Sequence, residues 1–101
     1  MAKTSVMERE KKRGQICNKH RVKREELRNA VSNVNLSDEE RQIAGYKLQT
    51  LPRNSAPVRR RNRCRLCGRP RAYNRLTGLC RLHMRIAVMN GLVPGMHKAS
   101  W

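Results

Sequence analysis

Hydrophobic positions in the first third of the chain follow a helical spacing over one short stretch. The apolar residues recur there at i, i+3, i+4 and i+7: Leu27, Ala30, Val31 and Val34. This spacing predicts a long basic helix from about residue 3 to about residue 33. Before Leu27 the stripe disappears, lysines and arginines surround the helix, and Gly14 weakens it. That half is predicted to be an arm lying on phosphate groups, and a solvated helical extension is the plainer alternative.

A second, shorter helix is predicted from its start signal. Ser37 followed by Glu40 matches a capping box, in which a serine and a glutamate each bond the other's backbone N–H group. The helix is predicted to run to about Leu48, and Pro52 bars its continuation. The acidic residues of its first turn favour the positive end of the helix dipole. Capping therefore explains these carboxylates without a catalytic role.

A last helix is predicted from Arg81 to Asn90. Its apolar residues recur at i, i+4, i+7 and i+11: Leu82, Ile86, Met89 and Val93. Gly91 is the residue typical of a helix C-terminus. Between the second and last helices, the segment Pro52 to Pro57 favours an extended linker, because two prolines and small polar residues resist both helix and sheet.

These segments predict three regions. Residues 1–49 form a basic helical arm and a second helix, residues 50–63 an extended linker rich in proline and arginine, and residues 64–101 a small zinc-knuckle-like module with a C-terminal helix and tail. The fold class is mainly α with long irregular segments. The 101 residues include no Phe and one Trp and carry a net charge of +17. Such a chain is expected to have little autonomous core and to gain much of its structure against a polyanion.

Charge is distributed unevenly along the chain, and this favours nucleic acid as the partner. From Arg41 onward there are fourteen Lys/Arg, twelve of them arginine, and no Asp or Glu. A membrane-surface peptide would place bulky apolar residues opposite its charge, and the apolar residues here are too scattered for that. No stretch approaches the ~20 apolar residues of a membrane span. We therefore expect RNA before DNA, no membrane and no small-molecule substrate.

Four residues in this acid-free half have the spacing of a metal site. They follow the pattern C-x2-C, twelve residues, C-x2-H: Cys64, Cys67, Cys80 and His83. The N-terminus has no signal-peptide region, so the cysteines are expected to stay reduced and to bind metal or act in redox chemistry before forming disulfides. Four protein ligands suit one tetrahedral, structural zinc ion. Two alternatives stay open at this point, a relic that no longer binds metal and a thioredoxin-like redox pair.

A closed site of this kind is not expected to be catalytic. Four protein ligands leave no position for an activated water, and no glutamate lies near to act as a base. The protein is therefore predicted not to be an enzyme. The rival class is a free-standing zinc-finger regulator of DNA, but such a protein needs a recognition helix with base-reading side chains. Here the arginines spread over every element.

RNA contacts are predicted along the arm, the linker and the module. Arginine suits this task because its forked guanidinium group bridges phosphates and stacks on bases. The predicted contact residues are Lys11, Lys12, Arg13, Arg53, Arg59, Arg60, Arg61, Arg63, Arg65, Arg69, Arg71, Arg75, Arg81, Arg85, Lys98 and Trp101.

Several segments resemble the family of small-subunit ribosomal protein fourteen. The resemblance covers essentially the whole chain, and the length and basic N-terminal helix are similar to the family's long form. The segments that carry it are Leu48 to Pro57 (LQTLPRNSAP), Arg61 to Cys64 (RNRC), Gly68 to Arg71 (GRPR) and Gly91 to Trp101 (GLVPGMHKASW).

The resemblance implies a structural constituent of the small ribosomal subunit. Members of the family bind the 3′ major domain of the small-subunit ribosomal RNA, in the head, beside small-subunit ribosomal proteins three, ten and nineteen. The family's short form carries zinc through two C-x2-C pairs at positions matching 64, 67, 80 and 83, and the long form usually lacks most of these cysteines. This chain combines long-form length with three cysteines and His83, and its expected location is the ribosome of a bacterial cytoplasm or an organelle.

Overall fold

Helix is the main secondary structure in the computed structural model, which describes residues 1–100. The helices are α1 (Thr4–Lys19), α2 (Arg21–Ser32), α3 (Asp38–Thr50) and α4 (Arg81–Met89). Two short strands, β1 (Tyr73–Asn74) and β2 (Leu79–Cys80), form an antiparallel hairpin, and 3₁₀ turns occur at Arg53–Ser55 and Pro57–Arg59. The predicted fold class, mainly α with long irregular segments, is confirmed. Trp101, predicted to contact RNA, lies outside the described residues.

The chain divides into two compact units. One unit is Glu8–Arg60, and the other joins Met1–Met7 to the residues from Arg61 onward. The division into 1–49, 50–63 and 64–101 stays a prediction. No helix within residues 1–100 has both the length and the apolar content needed to cross a membrane.

The predicted long basic helix is interrupted at one residue. His20 has φ −98° and ψ 5°, outside the α-helical range, and separates α1 from α2. Hydrogen bonds continue across the break, because the His20 N–H donates to the Ile16 carbonyl and the Arg24 N–H donates to the His20 carbonyl. Gly14 lies inside α1 without ending it.

Helix α3 starts as its capping box predicts. The Glu40 N–H donates to Ser37 Oγ at 3.3 Å, and the Ser37 N–H donates to the Glu40 carboxylate at 3.2 Å. The helix ends at Thr50, because the next residue takes the extended conformation that a following proline favours. Ala44 is buried in this helix, whereas Ile43 and Tyr46 remain exposed, so the α2–α3 pair buries little apolar surface.

The linker is not extended throughout, which corrects the prediction for this segment. Ser55 caps its own turn, since its N–H and its Oγ both donate to the Pro52 carbonyl, at 2.9 and 2.5 Å. Pro57 begins the second 3₁₀ turn, where the fixed φ of proline suits the first position. Local hydrogen bonds from a serine thus replace the extended backbone.

The β hairpin was not predicted from the sequence. Tyr73 pairs with Cys80, and Asn74 pairs with Leu79. The Asn74 side chain accepts hydrogen bonds from the backbone of Leu76 and Thr77, which folds the connecting loop. Cys80 is both the last residue of β2 and the N-cap of α4, so the hairpin sets the direction in which α4 begins.

Buried side chains within residues 1–100 are few and mostly small. Those with the least exposure are Cys17, Ala44, Ser55, Cys64, Cys67, Cys80 and Ala87. In the unit that contains the hairpin, the three cysteines Cys64, Cys67 and Cys80 form the buried cluster, with Leu79 packed against it. The prediction of little core is confirmed, and that unit is organised around sulfur rather than aliphatic side chains.

Candidate metal centre and nucleic-acid interface

Two local structures deliver the four predicted metal ligands. Cys64 and Cys67 lie in a turn that the Gly68 N–H closes by donating to the Cys64 carbonyl at 2.9 Å. Gly68 has φ +70°, a left-handed conformation that glycine adopts without strain. Cys80 and His83 lie at the start of α4, three residues apart and therefore on one helical face.

The structure brings all four ligand atoms together. The three Sγ atoms and one His83 ring nitrogen lie within 4.8 Å of one another. His83 Nδ1 is 3.6 Å from Cys64 Sγ and 3.3 Å from Cys80 Sγ, and Cys67 Sγ is 3.7 Å from Cys80 Sγ. All three cysteines are free thiols and buried. The sequence spacing predicted this grouping, but not which ring nitrogen of His83 faces the sulfurs.

These separations are close to those of a tetrahedral zinc site. Bonds of about 2.3 Å to sulfur and about 2.0–2.1 Å to nitrogen imply about 3.8 Å between two sulfurs and about 3.5 Å between a sulfur and a nitrogen. The 3.7 Å between Cys67 Sγ and Cys80 Sγ and the 3.6 Å between Cys64 Sγ and His83 Nδ1 match these values. The 3.3 Å between Cys80 Sγ and His83 Nδ1 is about 0.2 Å shorter. The donor set and its spacing therefore fit one tetrahedral ion with soft ligands.

Backbone N–H groups set the charge state of the thiols. Burial acts to raise the pKa of Cys64, but N–H groups of Cys67, Cys80 and Leu66 outweigh it and the pKa is lowered. The N–H of His83 is the main cause of the lowered pKa of Cys80, about 7 against an ordinary 9.0.

Cys67 shifts the other way. The N–H of Arg69 acts to lower its pKa, but burial and the neighbouring thiols of Cys80 and Cys64 raise it overall. Two of the three thiols thus favour the thiolate form that a metal requires.

The extreme N-terminus covers the turn that carries Cys64 and Cys67. The Ala2 N–H donates to the Cys67 carbonyl at 3.1 Å. A Cβ atom added to Gly68 would lie 2.7 Å from Met7 Sδ and 3.2 Å from Ala2 Cβ. Nothing in the sequence pattern indicated this cover, since Ala2 and Met7 belong to no motif.

Most of the predicted RNA-contacting residues are exposed. The exposed ones are Lys11, Lys12, Arg53, Arg59, Arg60, Arg61, Arg65, Arg71, Arg75, Arg81, Arg85 and Lys98. Arg13, Arg63 and Arg69 are partly buried.

Some of these basic side chains already have partners. Lys11 pairs with Glu8 at 2.7 Å, and Arg13 pairs with Glu10 at 3.3 Å. Arg63 Nη1 donates to the Gly68 carbonyl at 3.0 Å, so this arginine supports the turn that carries Cys64 and Cys67.

Three arginines of α2 are absent from the predicted contact residues, although Arg21 and Arg24 belong to the arm that was predicted to lie on phosphate groups. Arg21, Arg24 and Arg28 lie on one side of α2 and, with Arg60, line a cavity of about 380 Å³ within the unit Glu8–Arg60. Their spacing of i, i+3 and i+7 is a helical repeat of charge, whereas the helices were predicted from repeats of apolar residues.

Comparison with known proteins identifies relatives over the whole chain. The model of a family described as "Ribosomal protein S14p/S29e" matches residues 47–100. The chain is also 52% identical, over 101 residues, to the "Small ribosomal subunit protein uS14" of Buchnera aphidicola subsp. Acyrthosiphon pisum (strain APS), and this match covers 100% of both chains.

Proposed function

Because the chain belongs to the ribosomal protein S14p/S29e family, we propose that it is a structural constituent of the small ribosomal subunit that binds small-subunit ribosomal RNA. The name of the Buchnera relative places that protein in the small subunit. The role is architectural: the protein holds RNA segments together and performs no chemical reaction. Its location is accordingly the ribosome, in a bacterial cytoplasm or in an organelle.

The observation that carries this proposal is the exposed positive charge around the cysteine cluster. Residues 61–100 contain nine Lys/Arg and no Asp or Glu, so this stretch offers its arginines no carboxylate of its own. Six of the eight arginines in this stretch are exposed: Arg61, Arg65, Arg71, Arg75, Arg81 and Arg85. Exposed guanidinium groups on a small cross-linked scaffold suit phosphates of several RNA segments.

The finer part of the proposal concerns place and neighbours. The proposed RNA is the 3′ major domain, which forms the head of the subunit. The proposed protein neighbours are small-subunit ribosomal proteins three, ten and nineteen. In this position the protein supports assembly of the head and its conformation during translation.

We further propose that Cys64, Cys67, Cys80 and His83 hold one zinc ion. The support is the agreement of their separations with tetrahedral geometry and the lowered pKa of two thiols. Zinc would stabilise this unit by cross-linking four side chains, whereas larger domains are stabilised by an aliphatic core. The residues themselves then fix the start of α4, which carries Arg81 and Arg85.

Binding of the full-length chain to the 3′ major domain RNA tests this function. The comparison is with double-stranded DNA of matched length at the same salt concentration, because charge alone binds both. We expect tighter binding to the RNA, and co-sedimentation of the native protein with small subunits at salt concentrations that release loosely bound proteins. Equal affinity for the two nucleic acids together with absence from small subunits would favour the DNA-regulator class instead.

A further inference from the structure

The arginine-lined cavity of the unit Glu8–Arg60 is a site that the proposed function does not yet use. Its volume is about 380 Å³, in the lower part of the range of about 300–1,000 Å³ typical of ligand pockets. Four of its lining side chains come from α2, and Arg60 comes from the linker. The residues that line it with charge are Arg21, Arg24, Arg28, Arg60 and Glu25.

Arg24 is held in place by a buried hydroxyl group. Its Nε and Nη2 donate to Ser55 Oγ at 3.3 and 3.2 Å. Ser55 is only 1% exposed and donates in turn to the Pro52 carbonyl. Two bonds to one oxygen fix the guanidinium plane, because Nε and Nη2 lie on the same edge of the fork. The opposite edge of Arg24 keeps its donors for another acceptor.

The other arginines of the cavity make no internal bonds. Within residues 1–100, the guanidinium groups of Arg21, Arg28 and Arg60 form no hydrogen bond or ion pair. The guanidinium group of Arg60 lies beside Gly14 of helix α1. A Cβ atom added to Gly14 would lie 3.8 Å from Arg60 Nη2, which is ordinary van der Waals contact. Glu25 is the one carboxylate in the lining and is likewise unpaired within the described residues.

The charge of the cavity calls for an anion. Four guanidinium groups against one carboxylate leave an excess of three positive charges around a small volume. Like charges so arranged repel each other, and a bound anion removes this cost. Phosphate suits the site because its tetrahedral oxygens accept from several guanidinium forks at once.

We propose that this cavity is a seat for a backbone phosphate of the bound RNA. The proposal rests on the proposed function, since the RNA supplies the phosphate. It assigns Arg21, Arg24, Arg28 and Arg60 to one phosphodiester group with its ribose. Ser55 is a positioning residue, which acts through Arg24 and does not touch the RNA. Glu25 opposes binding and limits the affinity of the seat.

The carboxylate provides the sharpest test. Glu25→Gln and Glu26→Gln remove the same charge from neighbouring exposed positions of α2, and only Glu25 lines the cavity. We expect Glu25→Gln to tighten binding to the 3′ major domain RNA by about fivefold to tenfold relative to Glu26→Gln at the same salt concentration. Equal affinities of the two variants would overturn the proposal.

Removal of the arginines should have the opposite effect. Arg21→Gln with Arg28→Gln removes two cavity charges that make no internal bonds, and Arg9→Gln with Lys23→Gln is the matched control outside the cavity. We expect the cavity pair to weaken RNA binding by about tenfold more than the control pair. The slope of log K against log salt should fall by about one unit relative to the control. Identical slopes and affinities for the two pairs would overturn the proposal while leaving RNA binding intact.

Ser55→Ala tests the positioning role without changing any charge. The salt slope of this variant should stay close to that of the wild type, whereas RNA affinity should fall severalfold because Arg24 loses its fixed orientation. Helix content by circular dichroism serves as the folding control. Unchanged affinity in a folded Ser55→Ala chain would remove Ser55 from the proposal.

A free anion distinguishes an RNA seat from a general phosphate site. Inorganic phosphate is titrated into the full-length, metal-loaded chain while the Nε–H signals of its arginines are followed by NMR. We expect Arg24 to shift at millimolar phosphate and the 3′ major domain RNA to produce the same shift at far lower concentration. A response to phosphate in a chain that does not bind the RNA would defeat both the proposed function and the RNA seat. RNA binding that leaves Arg24 unshifted would defeat the seat alone.

Discussion

His83 approaches the cysteine cluster through Nδ1, and this determines which substitutions keep the metal. Nδ1 lies two bonds from Cβ, and the sulfur of a cysteine lies only one bond from Cβ. The longer bond that sulfur forms to zinc offsets this shorter reach. His83→Cys should therefore retain zinc, and His83→Ala should lower zinc affinity by at least about 100-fold, because a structural site needs its fourth protein ligand. Zinc stoichiometry at matched purity is the measurement, with the exposed His97→Ala as the control.

Two outcomes would change the assignment of this site. Equal zinc content in the wild type and His83→Ala would remove His83 from the ligand set. Absence of zinc from the wild type and all three variants would make the four residues a relic, the alternative that the sequence left open.

Metal binding should depend on pH through the thiols. The pKa of Cys80 is lowered to about 7, mainly by the backbone N–H of His83. A lowered pKa in the folded state means that folding favours the thiolate, so this contribution is present above the ordinary pKa of 9.0 and is lost as the pH falls through about 7. Zinc affinity, measured with a competing chelator, should therefore decrease from about pH 8 to about pH 6. An affinity independent of pH over this interval would contradict thiolate ligation.

At the scale of elements, the turn that carries Cys64 and Cys67 depends on Gly68. Gly68 has φ +70°, and an added Cβ would meet Met7 and Ala2. Gly91 has φ +68° with nothing within 4 Å of an added Cβ, so it is a matched control with the same backbone strain. Gly91→Ala should cost about 1–2 kcal/mol. Gly68→Ala should cost more, because the N-terminal cover must also shift.

The difference between these two variants isolates the packing of the N-terminus. Thermal unfolding of the zinc-loaded chain is the measurement, and the Gly68→Ala midpoint should lie below that of Gly91→Ala. If the midpoints coincide, the contact of Met7 with Gly68 contributes nothing to stability. Shortening the Met7 side chain, by Met7→Ala in the Gly68→Ala background, should recover part of the lost thermal stability.

The elements were predictable wherever one residue marks their ends. Ser37 marks the start of α3, and Gly91 follows the end of α4, so both helices were placed to within about two residues. The β hairpin was not predictable, because strands of two residues carry no alternating pattern. The 3₁₀ turn of the linker is closed by Ser55 donating to the Pro52 carbonyl. Ser55 also accepts from Arg24, a contact between residues 31 apart that no local pattern indicates.

The site was predictable in its membership and not in its surroundings. Spacing alone predicted that Cys64, Cys67, Cys80 and His83 come together, because each short pair lies in one turn. The cover by Ala2 and Met7 joins the first residues to the turn some sixty positions away, and contacts of that kind depend on the whole fold. The arginine side of α2 has a helical repeat, so the periodicity of charge in the sequence indicates it.

At the scale of the whole molecule, repulsion within a net charge of +17 destabilises the compact state, and the small amount of buried surface offers little stabilisation against it. Few aliphatic side chains are buried within residues 1–100, and the cysteine cluster replaces an apolar core in its unit. We therefore expect folding to be coupled to the two proposed ligands, because RNA would neutralise positive charge and a metal ion would add a cross-link.

The free, metal-free chain should consequently be poorly folded. Circular dichroism should detect helix from α1 and α3 that melts without a cooperative transition, and amide exchange should show little protection beyond the helices. Addition of zinc should protect the amides that bond to the cluster, above all those of Gly68 and His83, before any RNA is present. A cooperative melt with long-lived protection in metal-free buffer would contradict this expectation.

RNA binding should show how many phosphates the molecule neutralises. If about six phosphates are bound, log K should fall with log salt at a slope of about −4 to −5. Alanine at Arg59, Arg60, Arg61 and Arg63 should flatten this slope, because these residues lie exposed or partly exposed in a single run. The control replaces four exposed basic residues that lie outside this run: Lys3, Arg9, Lys19 and Lys23. A slope that changes equally in both variants would mean that the run acts only through net charge.

Arg63 also donates to the Gly68 carbonyl. A variant that replaces Arg59, Arg60 and Arg61 but keeps Arg63 therefore separates phosphate contacts from support of the turn that carries Cys64 and Cys67. That variant should retain zinc and still flatten the slope by most of the full effect.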